Sequence, residues 1–141
     1  MRQTTPDQDL IRLALAARAK AHAPYSGFAV GAAVRDRGGR LHAGCNVENA
    51  AYPEGICAET AALAAMVLAG GREVVEVVVA GGGEAALTPC GGCRQRLREL
   101  GGPGLLVHAV DRDGRCLASH TLAELLPYAF GPDHLGDKST P

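Results

Sequence analysis

Tryptophan is absent from this 141-residue chain, phenylalanine occurs twice and tyrosine three times. A core of ordinary size must therefore be assembled from Ala, Val and Leu. There is no excess of either charge: 14 basic residues against 15 acidic ones leave a net charge of −1. That balance offers no electrostatic footprint for a nucleic acid or an anionic membrane surface. Nor is there a long apolar run. The longest is about the length of one short helix, below the roughly 20 residues that cross a bilayer. The opening "MRQTTPDQDL" lacks the basic-then-apolar pattern of a secretory signal. These absences point to a cytoplasmic protein without a membrane or nucleic-acid partner, and the length points to one domain. In that compartment the five cysteines are expected to be reduced, which puts metal binding or catalysis ahead of a disulfide framework.

What is present alternates clearly. In "TPDQDLIRLALAARAKA", Thr5 is placed as an N-cap, Pro6 at the first helical position and Gln8 three residues after the cap. Leu10, Leu13, Ala14, Ala17 and Ala21 follow at helical spacing. "FAVGAAVRD" and "RLHAGCNV" read as strands joined across "RGG" in a hairpin. A helix from about Cys57 to Leu68 is stopped by Gly70 and Gly71. "EVVEVVVAG" is a dense β-branched run and reads as a central buried strand. "CGGCRQRLREL" is a further helix. "LLVHAV" and "CLASH" form a second hairpin across "DRDG", and "TLAELLPYAF" is a short last helix cut at Pro127. The pattern predicts one mixed sheet covered by helices on both faces, over residues 1–130, with a polar tail at 131–141.

The stretch "GICAETAALAAM" is where packing stops explaining the sequence. An Ala-rich helix opens with a thiol, Cys57, and a carboxylate, Glu59, which a core-filling segment does not need. "PCGGC" puts Cys90 and Cys93 three residues apart at another helix start, where neighbouring positions share a face. The partial positive charge of a helix N-terminus favours thiolates. Two such helices aimed at one spot would collect three thiolates. Three ligands are what a catalytic zinc site uses, with the fourth position kept for water. Glu59 is then free to take a proton from that water and deliver it elsewhere.

Other readings compete for the same residues. A lone C-x-x-C fits a redox pair or two buried thiols. A structural zinc site needs a fourth ligand from Cys45, Cys116 or one of the five histidines, yet His22, His42, His108, His120 and His134 fall in no ligand spacing. Asn46 and Glu48 in "NVEN" can be a solvated strand end, and Phe28 can be core packing. C-A-E at one helix start with P-C-x-x-C at another is more specific than either half, and it matches the zinc deaminase signature.

Beyond that signature, "PYSGFAVGAAV", "GCNVENAAYPEGICAE", "PCGGCRQ" and "ELLPYAF" resemble, in order, successive blocks of the small homotetrameric cytidine deaminases. The resemblance covers residues from about 24 to 130. It implies an α/β fold, a three-layer α/β/α sandwich on a five-stranded mixed sheet. It implies zinc on Cys57, Cys90 and Cys93, with Glu59 as the proton shuttle. It implies that Asn46 and Glu48 bond the ribose hydroxyls, that Phe28 stacks on the pyrimidine and that the backbone around Ala58 reads the base edge. Phe130 would cover the base in a neighbouring subunit's site, and Tyr52 lies in a segment that also lines shared sites. The substrate would be a small-molecule nucleoside, cytidine or deoxycytidine, hydrolysed to uridine or deoxyuridine and ammonia in a homotetramer with shared active sites. The alternatives are a deaminase of a modified cytosine nucleoside, as in blasticidin deaminases, and a non-catalytic zinc-stabilised module.

One position departs from the family. Where its members usually read C-A-E-R, this chain reads C-A-E-T, with Thr60 in place of an Arg close to the thiolates. Thr60 offers one neutral hydroxyl at most. Arg94, just after the last ligand, and the two helix N-termini are the expected sources of compensating positive charge.

Overall fold

The computed structural model describes residues 5–136. Helix α1 (Gln8–Arg18) leads into strands β1 (Gly31–Asp36) and β2 (Leu41–Cys45), then helix α2 (Ala58–Leu68) and strand β3 (Val74–Ala80). Helix α3 (Gly91–Leu100), strands β4 (Leu106–Val110) and β5 (Cys116–Thr121) and the short helix α4 (Leu122–Leu125) complete the chain, with 3₁₀ turns at Tyr52–Glu54 and Pro132–Leu135. The cap of α1 differs from the expectation. Asp7, not Thr5, occupies the N-cap, its carboxylate accepting from Asp9 N (2.8 Å) and Leu10 N (3.2 Å). A carboxylate carries full charge to the helix N-terminus, which a Thr hydroxyl does not.

The sheet runs β2-β1-β3-β4-β5. Only β3 and β4 are parallel, joined by the crossover through α3; the other neighbours are antiparallel. The β-branched run expected at the centre is there. Val74, Val77 and Val79 of β3 pack under α2, α3 and α4 with Ala62, Met66, Leu97 and Leu122. Val78 and Ala80 face the other way, against Leu10, Ile11 and Ala14 of α1. Alternation along residues 77–80 thus serves two cores, and the result is the expected three-layer α/β/α sandwich on a mixed sheet. His108, fully buried in β4, sits between Ser119 (2.7 Å) and Glu76 (3.1 Å) and is accounted for as a core residue.

Two features position the site. The first is Gly44 in β2, where an added Cβ would lie 2.4 Å from Ala62 N and 2.6 Å from Ala58 O. The backbone of α2 rests on that strand with no side chain between. The second is the segment from Asn46 to Cys57, which crosses the sheet end and pairs through His22 with Val47 and Val47 with Ile56 before α2 begins.

The hairpin turn at the opposite end of β1 is tied by one carboxylate. Asp36 accepts from Arg40 N (2.9 Å), Arg40 Nε (3.1 Å) and His42 Nε2 (2.9 Å). His42 foremost, then Arg40, holds its carboxyl down to about 2 against the opposing effect of burial. A carboxyl depressed in the fold stabilises it above the unfolded pKa, and that contribution disappears as pH falls through the folded value. Asp36→Asn should lower Tm relative to wild type above about pH 4, the ordinary Asp range. The gap should close between there and about pH 2, as read by thermal melts across that window.

Candidate active site

Cys57 is the N-cap of α2 and Cys90 the N-cap of α3. Both helices start at the same end of the sheet, so their positive ends converge. Cys93 sits in the first turn of α3, fully buried. The three sulfurs lie within 4.8 Å of one another, with Cys57 Sγ 3.7 Å from Cys90 Sγ. Among the described residues no fourth Cys, His, Asp or Glu joins this cluster. Cys45 points to Lys20 O and Cys116 to Ala118 O and Ser119, so neither is the fourth ligand of a closed structural site.

The thiols show why a cation belongs here. Burial, then the Cys90 group, pushes Cys57 above its ordinary range. Burial, then the Glu59 charge, does the same to Cys93. Only Cys90 is drawn down, first by the Cys93 backbone N–H at the start of α3. Three negative sulfurs this close repel one another, and a dication with a preference for soft thiolate ligands removes that repulsion. The donor set therefore fits Zn²⁺.

Glu59 is 5% exposed and faces Cys93 from the first turn of α2. Burial pushes its carboxyl above the usual carboxylate range. A carboxyl so placed is suited to taking up and returning a proton.

Above the sulfurs opens a cavity of about 320 Å³. It is lined by Phe28, Asn46, Glu48, Tyr52, Cys57, Ala58, Glu59 and Cys90, so most of the anticipated residues converge. Val30, Val47, Gly55, Ile56, Leu87 and Thr88 also line it. These were not singled out from the sequence, because an apolar residue or a lone Thr carries no motif. Phe28 is half exposed, which excludes the core-packing reading of that side chain. Phe130 does not line this cavity. It is exposed, its ring stacks on His134 at 5.2 Å, and its carbonyl accepts from Gln95 Nε2 (2.9 Å).

Arg94 does not reach the thiolates by a hydrogen bond. Its guanidinium donates to Pro89 O (2.7 Å), Leu125 O (2.7 Å) and Thr88 Oγ1 (3.1 Å), so its three nitrogens all serve oxygen acceptors. These bonds tie the loop before α3 to α4. Thr60 does reach a ligand, with Oγ1 3.4 Å from Cys93 Sγ. A hydroxyl donor on a thiolate orients it and spreads its charge. Thr60→Val keeps the shape and removes the donor. Zinc release to a competing chelator should then be faster by about 10-fold, the lower range for such supporting groups. An unchanged release rate would take Thr60 out of the site.

Comparison with known proteins agrees with this geometry. Residues 4–109 match the family described as the cytidine and deoxycytidylate deaminase zinc-binding region. The chain is 44% identical over 133 residues to a cytidine deaminase of Mycobacterium tuberculosis, covering 92% of this chain and 96% of that one. It is 38% identical over 130 residues to a cytidine deaminase of Halalkalibacterium halodurans, at 92% and 98% coverage. The crystal structure of cytidine deaminase from Burkholderia pseudomallei superposes with a TM-score of 0.83 at 42% identity, covering 89% of this chain and all of that one. With its three cysteines gathered at two helix starts, the chain belongs to the cytidine and deoxycytidylate deaminase family.

Proposed function

We propose that this chain hydrolyses cytidine and deoxycytidine to uridine and deoxyuridine with release of ammonia. The observation that carries the reading is the buried Glu59 beside a three-cysteine cluster at the floor of a cavity of nucleoside size. Cys57, Cys90 and Cys93 would hold the zinc, which when bound supplies the Lewis acidity that makes water acidic near neutral pH. Glu59 takes the proton from the attacking water as its oxygen bonds to C4 of the pyrimidine. It returns that proton to the ring nitrogen N3. It then carries a second proton to the amine as the C4–N bond breaks and ammonia leaves.

The cavity walls suit the rest of a nucleoside. Phe28 offers a flat apolar face to the base, and the backbone at Ala58 lies beside Glu59 to read the base edge. Asn46 Nδ2 has a second N–H beyond the one given to Phe28 O, and Glu48 Oε2 keeps an acceptor position. One sugar hydroxyl, donating to Glu48 and accepting from Asn46, satisfies that pair. A missing neighbouring hydroxyl leaves neither group unpaired, which supports both ribose and deoxyribose substrates.

The assembly we read is a homotetramer with shared sites, working in the cytoplasm. Phe130 stands outside its own chain's cavity, and Tyr25, Tyr52, Tyr128 and Phe130 are exposed, as residues that meet a neighbour would be. Five unbridged cysteines fit a reducing compartment, and no described helix is long and apolar enough to cross a membrane. We take residues 1–130 as the catalytic domain and 131–141 as its polar tail. Residues 131–136 of that tail run along α3 through Arg98 and Asp133 (3.2 Å), and residues 137–141 lie outside those described.

Glu59→Gln keeps size and hydrogen bonding but cannot carry a proton. Bound zinc should remain while deamination, followed by loss of cytidine absorbance, falls at least about 10²-fold. Near-normal turnover in the zinc-loaded variant would remove Glu59 from the mechanism. Truncation before Pro127 removes Phe130 and no ligand. It should raise KM for cytidine and loosen the oligomer in sedimentation while zinc content holds. A truncated monomer with unaltered kinetics would show that each site is complete in one chain.

A further inference from the structure

Phe28 lies in the irregular segment between α1 and β1, not in a strand. Its backbone must therefore be held by something other than a ladder, and the hydrogen bonds identify what. Phe28 N donates to Ser26 Oγ (2.9 Å). Phe28 O accepts from Asn46 Nδ2 (2.8 Å), and Asn46 Oδ1 accepts from Val30 N (2.9 Å). Glu48 Oε1 accepts from both Tyr25 N and Ser26 N at 3.0 Å, and Glu48 Oε2 bonds the Ser26 hydroxyl.

A Ser hydroxyl has one hydrogen. Because Ser26 Oγ already accepts from Phe28 N, that hydrogen goes to Glu48. The direction of the chain is fixed: Phe28 N–H to Ser26 Oγ–H to the Glu48 carboxylate. Ser26 is the joint between the residue that meets the sugar and the residue that meets the base. Its hydroxyl is also the leading influence that keeps the Glu48 carboxyl below the usual range, so the carboxylate at the end of the chain is ionised. Gly27, at φ +70, makes the turn between the two joined residues, a backbone shape that costs Gly nothing.

We propose that Ser26 is a positioning residue of the active site, holding the Phe28 wall in register with the Glu48 sugar contact through its single hydroxyl. The proposal rests on the reading of Phe28 and Glu48 as substrate contacts. It predicts that base stacking and sugar binding are set by one rigid unit, Ser26–Phe28 pinned to Asn46–Glu48. Losing the joint then weakens substrate binding more than the chemical step, because the sulfur cluster and Glu59 stand on α2 and α3 and are not touched by it.

The test is steady-state kinetics on zinc-loaded wild type, Ser26→Ala, Ser26→Thr and Phe28→Ala, with zinc content and Tm measured for each. Ser26 is exposed, so the fold tolerates its change. Ser26→Ala should raise KM for cytidine about tenfold, the scale of one lost hydrogen bond to a charged group, with kcat within about threefold. Ser26→Thr keeps the hydroxyl and should return KM to within about threefold of wild type. An unchanged KM in Ser26→Ala beside a raised KM in Phe28→Ala overturns the proposal and leaves the base wall standing. So does a fall in kcat at constant KM, or a Thr variant no better than Ala. A Phe28→Ala enzyme with wild-type KM overturns the reading of Phe28 itself, and the proposal with it.

Discussion

Everything in this molecule is arranged around the mutual repulsion of three thiolates. They are tolerable only where positive charge meets them, and the chain supplies it twice, by starting α2 and α3 at the same end of one sheet. The sheet order makes that meeting possible. Strand β2 lies at one edge and feeds α2, while β3 lies at the centre and feeds α3, and both helices cover the same face. A dication completes the balance and ties the two helices together, so metal binding and the packing of this layer are one free energy rather than two. Glu59 then gains its character from the surroundings. The apolar packing that buries α2 is what pushes its carboxyl upward.

The opposite wall of the cavity obeys a different logic. It has no helix and little ladder, and its shape is kept by side chains that bond backbone. Such a wall is specified residue by residue. It is also exposed on its outer side, where Tyr25 and Tyr52 meet edge to face at 5.9 Å. A rigid metal floor and a laced rim suit a reaction in which the chemistry is invariant and the substrate must enter and leave.

The metal floor was legible in the sequence because its signal is local. Cys57, Glu59, Cys90 and Cys93 lie at helix starts that composition and spacing reveal, and a helix start dictates where its first side chains point. The strands were legible from their β-branched runs and hairpin turns. The rim was only half legible. Asn46 and Glu48 stood out only through the family resemblance of "NVEN", and their bonds to residues 25–30 span the chain and have no periodicity to betray them. Leu87 and Thr88 reach the cavity because the loop before α3 is fastened by Arg94. That fastening directs the Arg94 hydrogen bonds to oxygen acceptors rather than to the sulfurs, since proximity in sequence to Cys93 says nothing of where a long side chain ends. Thr5 was displaced as a cap by the stronger acceptor two residues on.

The contact at Gly44 has a consequence for how this sequence can change over time. Helix α2 lies on β2 through Gly44 and the small residues Ala58, Ala61 and Ala62 that surround it. Gly44 cannot grow alone, because its added Cβ would meet Ala62 N and Ala58 O, backbone atoms of the helix itself. Any mutational path that enlarges Gly44 must first part α2 from β2, and the start of α2 is where Cys57 and Glu59 stand. A glycine in an edge strand is thereby held in one heritable unit with a metal chemistry that it never touches.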